Sequence, residues 1–136
     1  MARIIRFEEI HSWKKSRELT KKIYEVTSKG DFKRDFGLKD QIRKASVSIL
    51  SNIAEGFERG GDGEFLQFLA VAKGSCGEVR AQLYVAYDQS YLAKDEFESL
   101  SNAAIEVSGL LAGFMKYLRQ SNLRGNKYRQ EYLLKS

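Results

Sequence analysis

Between Leu38 and Phe57 the chain carries two apolar lines instead of one, and this narrows the folds open to it more than any other feature. Leu38, Ile42, Ala45, Ile49 and Ile53 recur at steps of three and four, the spacing of one face of an α-helix. Val47, Leu50, Ala54 and Phe57 recur at the same spacing on a second face. One stripe is enough to seat a helix on a core. The second needs another cover, and in a chain of 136 residues a second copy of the protein is the natural one. Val47, Leu50, Ala54 and Phe57 are therefore the expected oligomer interface.

The rest of the chain reads as further helices. It contains no proline, so nothing interrupts a long helix, and a β-rich fold dense in turns is disfavoured. Helix one is expected over residues 12–28, with Trp13, Leu19, Thr20, Ile23, Tyr24, Val26 and Thr27 inward, Lys14, Arg17 and Lys21 at the border, and Lys15 and Lys22 opposite. Phe7 and Ile10 read as a lead-in covering the end of the bundle. Residues 29–34 lack periodicity and read as a loop. Helix two starts near residues 36–38, with Asp35 as its cap, and ends near residues 56–58.

Gly60, Gly61 and Gly63 then favour a sharp reversal, and Asp62 is the expected N-cap of helix three. Phe65, Phe68, Leu69, Ala72, Cys76, Val79, Leu83, Ala86 and Tyr87 form its apolar line, which reaches to about residue 89. Leu66, Ala70, Gly77, Ala81 and Tyr84 make a fainter second stripe of mostly small residues. Helix four spans residues 94–120, with Leu100, Ala104, Val107, Leu111, Phe114 and Leu118 alternating steps of four and three, the seam of a left-handed bundle. Ala93 stands where a Ser or Asp cap is expected. The reading is an all-α, antiparallel, up-down-up-down four-helix bundle over residues 1–121, followed by a short basic tail over residues 122–136.

Charge is segregated along this chain. Residues 1–44 hold 13 Lys and Arg against 7 Asp and Glu, residues 45–115 hold 4 against 10, and residues 116–136 hold 6 against 1. Two basic ends flanking an acidic middle are expected of a protein that meets a polyanion on one surface. The alternative is that basic and acidic segments complement each other within the fold or between subunits. The basic candidates are Arg17, Lys21 and Lys22 on helix one, with Arg124, Lys127 and Arg129 in the tail beside Tyr128. Lysines and arginines on successive phosphates, helped by aromatics that stack on bases, are what a nucleic-acid surface needs. No zinc knuckle, recognition helix or RNA-binding sheet motif accompanies them, so any binding is expected to be weakly sequence-specific.

The residues for enzymatic chemistry are largely missing. His11 is the one histidine and precedes the first helix, which leaves no Ser-His-Asp or Cys-His arrangement. There is no Glu-x-x-His pair for a di-iron bundle, and Cys76 with one histidine cannot assemble a zinc site. Residues 59–63 are glycine-rich but follow a helix and lack the lysine of a phosphate loop. No enzyme activity, metal or cofactor is expected. The lone Cys76, the absence of a signal-like N-terminus and the absence of a membrane span point to a cytoplasmic protein that does not enter the membrane. Asn52, Glu55, Ser75 and Glu78 are read as structural polar residues. Asn52 and Ser75 are placed to bond across the helix pair, and Glu55 to pair with Lys73 or Arg80, or with Arg43 or Lys44 of a neighbour.

Ser48-Ile49-Leu50-Ser51-Asn52-Ile53-Ala54-Glu55-Gly56, preceded by Gln41-Ile42-Arg43-Lys44-Ala45, also carries a family likeness. It continues upstream to Trp13 and downstream through the segment from Glu64 to Ser75 and on to Glu78. These residues resemble the bacterial four-helix bundle proteins often encoded inside intervening sequences of large-subunit ribosomal RNA genes. The resemblance implies a homopentameric ring that contacts RNA or DNA. The accessory proteins of diversity-generating retroelements share the fold and also bind a reverse transcriptase. The expectations are thus a non-enzymatic nucleic-acid-binding oligomer, or a protein-binding scaffold of the reverse-transcriptase accessory kind.

Overall fold

A computed structural model describes residues 6–121. A 3-10 turn at Phe7–Glu9 leads into α1 (His11–Thr27), and a second such turn at Phe32–Arg34 precedes α2 (Phe36–Arg59). Then follow α3 (Asp62–Asp88) and α4 (Lys94–Ser121). Each helix packs on two others, α1 and α3 both on α2 and α4, so the chain runs up, down, up and down around a square. Among the described residues there is no strand. The expected tail, residues 122–136, lies outside the described residues.

The periodic positions meet at the centre. Ile42, Ile49 and Ile53 of α2, Leu69 and Leu83 of α3, and Leu111 and Phe114 of α4 are fully enclosed, as are Leu19 and Ile23 of α1 to within 1%. Each such side chain contributes roughly 1.5–3 kcal/mol of burial. Phe65 stacks edge to face on Phe114 at 5.1 Å, joining α3 to α4 at one end. Ile10, wholly buried, closes that end with Phe7, whose ring meets Trp13 edge-on at 5.2 Å.

Asp35 organises the opposite end. Its Oδ1 accepts the Leu38 N–H at 3.1 Å, the capping bond expected of it, and its Oδ2 accepts the Tyr91 hydroxyl at 3.0 Å. The Tyr91 ring in turn stacks on Phe32 at 5.3 Å. One carboxylate therefore ties the α1–α2 connection to the α3–α4 connection.

Several local expectations give way. Phe32 lies in the stretch read as a loop, yet it is completely buried, because a single aromatic plug has no periodicity to reveal it. On α1, Ser12 and Ser16 are buried while Tyr24 is 41% exposed. The hydroxyls of Ser16 and Thr20 can face inward because backbone carbonyls satisfy them. Ser16 Oγ donates to the Ser12 carbonyl at 2.7 Å, and Thr20 Oγ1 bonds the carbonyls of Ser16 at 2.9 Å and, across the seam, Ser46 at 3.2 Å. Small residues at these positions bring α1 and α2 close together. Asp62 is the first residue of α3 and Gly61 its N-cap, a shift of one residue from the expected cap. On α3, Tyr87 turns outward with 36% exposed. Ala93 needs no capping side chain of its own, because Glu96 reaches back and its Oε1 accepts the Ala93 N–H at 2.9 Å, half of a capping box.

Candidate functional site

The seam between α1 and α2 is concave on its outer side. Trp13, Arg17, Thr20 and Lys21 of α1 face Leu50 of α2 across a hollow of about 720 Å³, with Glu8, Lys14 and Glu18 at its edges. Farther along the same seam, Tyr24 of α1 faces Asp40, Arg43, Lys44 and Val47 of α2 across a second hollow of about 520 Å³. Each hollow holds an aromatic ring with an arginine above it. The Arg17 guanidinium lies 5.9 Å from the Trp13 ring centre and that of Arg43 lies 4.3 Å from the Tyr24 ring centre.

Arg43 is the better anchored of the two. Its Nε donates to Thr27 Oγ1 at 2.8 Å and its Nη2 to Ser28 Oγ at 3.0 Å, so neutral partners position it and its charge stays uncompensated. Lys44 is neutralised by Asp40 at 3.0 Å, whereas Lys14, Arg17 and Lys21 make no ion pair among the described residues. Glu18 is held by Lys15 at 3.7 Å, which draws it towards the far side of α1. The floor between the cations is apolar, formed by Leu50 and Val47.

The basic residues expected on α1 therefore divide. Arg17 and Lys21 share the α1–α2 groove. Lys22 lies across the helix in the α1–α4 groove with Lys15, Glu18 and Glu106, where Lys15 and Glu106 approach to 3.6 Å. Arg124, Lys127 and Arg129 lie outside the described residues. The expected interface line on α2 divides as well. Val47 is 37% exposed, but Leu50, Ala54 and Phe57 are half-buried by their own chain, with Phe57 edge-on to Phe65 at 6.1 Å.

The polar residues singled out on α2 and α3 form a small network with one intermediary. Asn52 Nδ2 donates to the Ser48 carbonyl at 2.8 Å and to Ser48 Oγ at 3.0 Å, and Ser48 Oγ bonds Ser75 Oγ at 2.9 Å. Ser48, not Asn52, makes the bond across the helix pair. Glu55 pairs with Arg59 one turn along its own helix at 2.9 Å, not with Lys73 or Arg80, because an i, i+4 partner is already in reach. Glu78 lies beside Gln41, Lys44 and Gln82 in the outer α2–α3 groove.

Cys76 is enclosed in the core, and burial pushes its thiol up to about 12 against the smaller opposing influence of Lys73 and Arg80. It is therefore a packing residue and not a thiolate nucleophile at neutral pH. Among the described residues no cluster of His, Cys, Asp and Glu has the arrangement to hold a metal ion. Nor is any helix among them long and apolar enough to cross a membrane.

The same α2–α3 hairpin and its flanking helices carry the family match. The family model of the 23S rRNA-intervening sequence protein fits residues 8–113. This chain belongs to that family. A solved relative in fold is a protein of unknown function from the S23 ribosomal protein family of Bacteroides thetaiotaomicron, with a crystal structure at 1.70 Å resolution. It is 24% identical, with a TM-score of 0.71 over 77% of this chain and 98% of that one, a likeness that shows the shared fold. No protein with a curated description matches the chain. Within this intervening-sequence family member, the groove residues missed by sequence reasoning as a site are Trp13, Tyr24 and Arg43. The i, i+4 spacing of Trp13 and Arg17 was a readable signal, whereas Tyr24 and Arg43 meet only through the fold.

Proposed function

We propose that this protein is a non-enzymatic, self-associating helix bundle that binds RNA or DNA with little sequence preference. The α1–α2 groove supports this reading best, since it aligns Lys14, Arg17, Lys21 and Arg43 along one seam, and none of the four forms an ion pair among the described residues. Cations so arranged displace the counterions condensed on a phosphate backbone, and that release supplies binding free energy independent of sequence. The family's name refers to intervening sequences of 23S rRNA, which makes fragments of that RNA the first ligands to test. The cytoplasm is the compartment in which such a partner is met.

The apolar floor at Val47 and Leu50 favours a second reading, a docking surface for a protein such as a reverse transcriptase. Fluorescence anisotropy with structured RNA, single-stranded RNA and duplex DNA separates the two. Under the first reading, affinity falls steeply between low and physiological salt, and Lys21→Glu weakens every ligand similarly and reduces the salt slope by about one. Absence of binding to all three at low salt rejects the nucleic-acid reading and leaves the protein-docking one.

A further inference from the structure

We infer that the α1–α2 groove takes an unpaired strand, with bases stacked on Trp13 and Tyr24 and phosphates on the intervening cations; this rests on the nucleic-acid reading above and gives it a ligand class. The first reason is spacing. Trp13 and Tyr24 lie eleven residues apart on one helix, about three turns, and between them the α1 border presents Arg17 and Lys21. Aromatics alternating with cations along a track is the arrangement that single strands use, because every base has a face to stack and every linkage a phosphate to neutralise.

The second reason is the floor. A duplex shows a protein its charged backbone and groove edges, and Leu50 and Val47 offer neither of these a partner. The faces of unstacked bases are apolar, and covering them there removes both surfaces from water. The third reason is the pair of arginines. At 5.9 Å Arg17 only just contacts the Trp13 ring, so a base can enter beneath it or beside it and be clasped by the guanidinium plane. Arg43 over Tyr24 is held in place by Thr27 and Ser28 and offers a preset second clasp. The acidic groups facing the groove are Glu8, Glu18 and Asp40. Of these, Glu18 and Asp40 are engaged by Lys15 and Lys44.

Trp13 is the only tryptophan in the chain, so the full-length protein reports on the groove without a label. Titration with a short oligo(U) or oligo(dT) is expected to quench the intrinsic emission in step with the anisotropy change. A blunt duplex of equal phosphate count is expected to bind more weakly and to leave the emission unchanged. Tyr24→Leu, at an exposed position outside the core, is expected to weaken the oligo(U) complex about tenfold, the size of one lost base stack, while its duplex binding and salt slope stay as in the parent. Trp13→Leu should do the same, with circular dichroism confirming that the bundle is intact. Equal binding of strand and duplex without quenching overturns the inference but leaves the nucleic-acid reading standing. Absence of binding to any of these polyanions overturns both. A Trp13 emission change that tracks protein concentration alone assigns the groove to a second copy and also overturns it.

Discussion

Gly56 shows how much of the bundle's geometry rests on single atoms. It is buried where α2 and α3 converge, and a Cβ built there meets Phe68 Cβ at 2.7 Å and Phe65 Cδ1 at 2.8 Å. Phe65 is itself enclosed, so the ring has no room to withdraw. Gly56→Ala should therefore destabilise the bundle by about 1–3 kcal/mol despite the better helix propensity of alanine, as read by denaturant unfolding. Gly74, in the middle of α3, is the control. Nothing lies within 4 Å of the position its Cβ would take, and Gly74→Ala should stabilise the isolated chain by up to about 1 kcal/mol. Of these two glycines, the structure gives close approach within the chain to Gly56 alone. Close approach depends on what lies opposite, and no local pattern records that. Ser16 was illegible for a related reason, since a serine reads as surface until its hydroxyl is seen to bond its own helix.

At the scale of elements, α2, α3 and α4 were legible because each repeats its apolar residues over many turns, and their observed bounds fall within a few residues of the expected ones. The α1–α2 connection was not, because its structure comes from one buried ring and one shared carboxylate. That strap makes a pH-dependent prediction. Tyr91 titrates above its ordinary value, chiefly because its hydroxyl donates to Asp35, with burial and the charges of Asp35 and Asp31 adding to the effect. An acid whose folded pKa is raised contributes stability that is complete below its unfolded value, about 10, and is lost as pH rises through the folded one. Tyr91→Phe should thus lower the melting temperature at neutral pH, and the gap from the parent should close as pH rises above about 10. A gap that stays constant through that range removes the Tyr91–Asp35 bond as its cause. The candidate groove is also a product of elements: its α1 border was visible in the sequence, but its depth and its pairing of Tyr24 with Arg43 arise only when the hydroxyl-lined seam draws α1 onto α2.

For the whole molecule, self-association, which is part of the proposed function, requires a face that a second copy can cover. The α2 line that first pointed to it is half used by its own chain, and Leu50 forms the floor of the groove. The outer face of α3 is more open. Ala70, Gly74, Gly77 and Ala81 are exposed along it, flanked by Val71 at 53%, Tyr84 at 57% and Val85 at 47%. A helix with a second apolar stripe beside the one its own core uses has a face to spare, and mid-helix glycines with nothing near them within the chain cost about 1 kcal/mol each without an internal reason. Close docking of a second helix, as the self-association proposal requires, would supply the reason. Light scattering should then show an assembly larger than the 15.5 kDa chain, with five copies the number the family resemblance implies. Gly77→Leu, which fills the α3 face, should dissociate it while far-ultraviolet circular dichroism stays helical. Leu50→Glu should leave the assembly intact and weaken nucleic-acid binding, because it puts a negative charge in the groove. Dissociation by Leu50→Glu but not by Gly77→Leu would return the interface to Val47, Leu50, Ala54 and Phe57, and a parent protein that is monomeric at micromolar concentration would end the self-association proposal altogether.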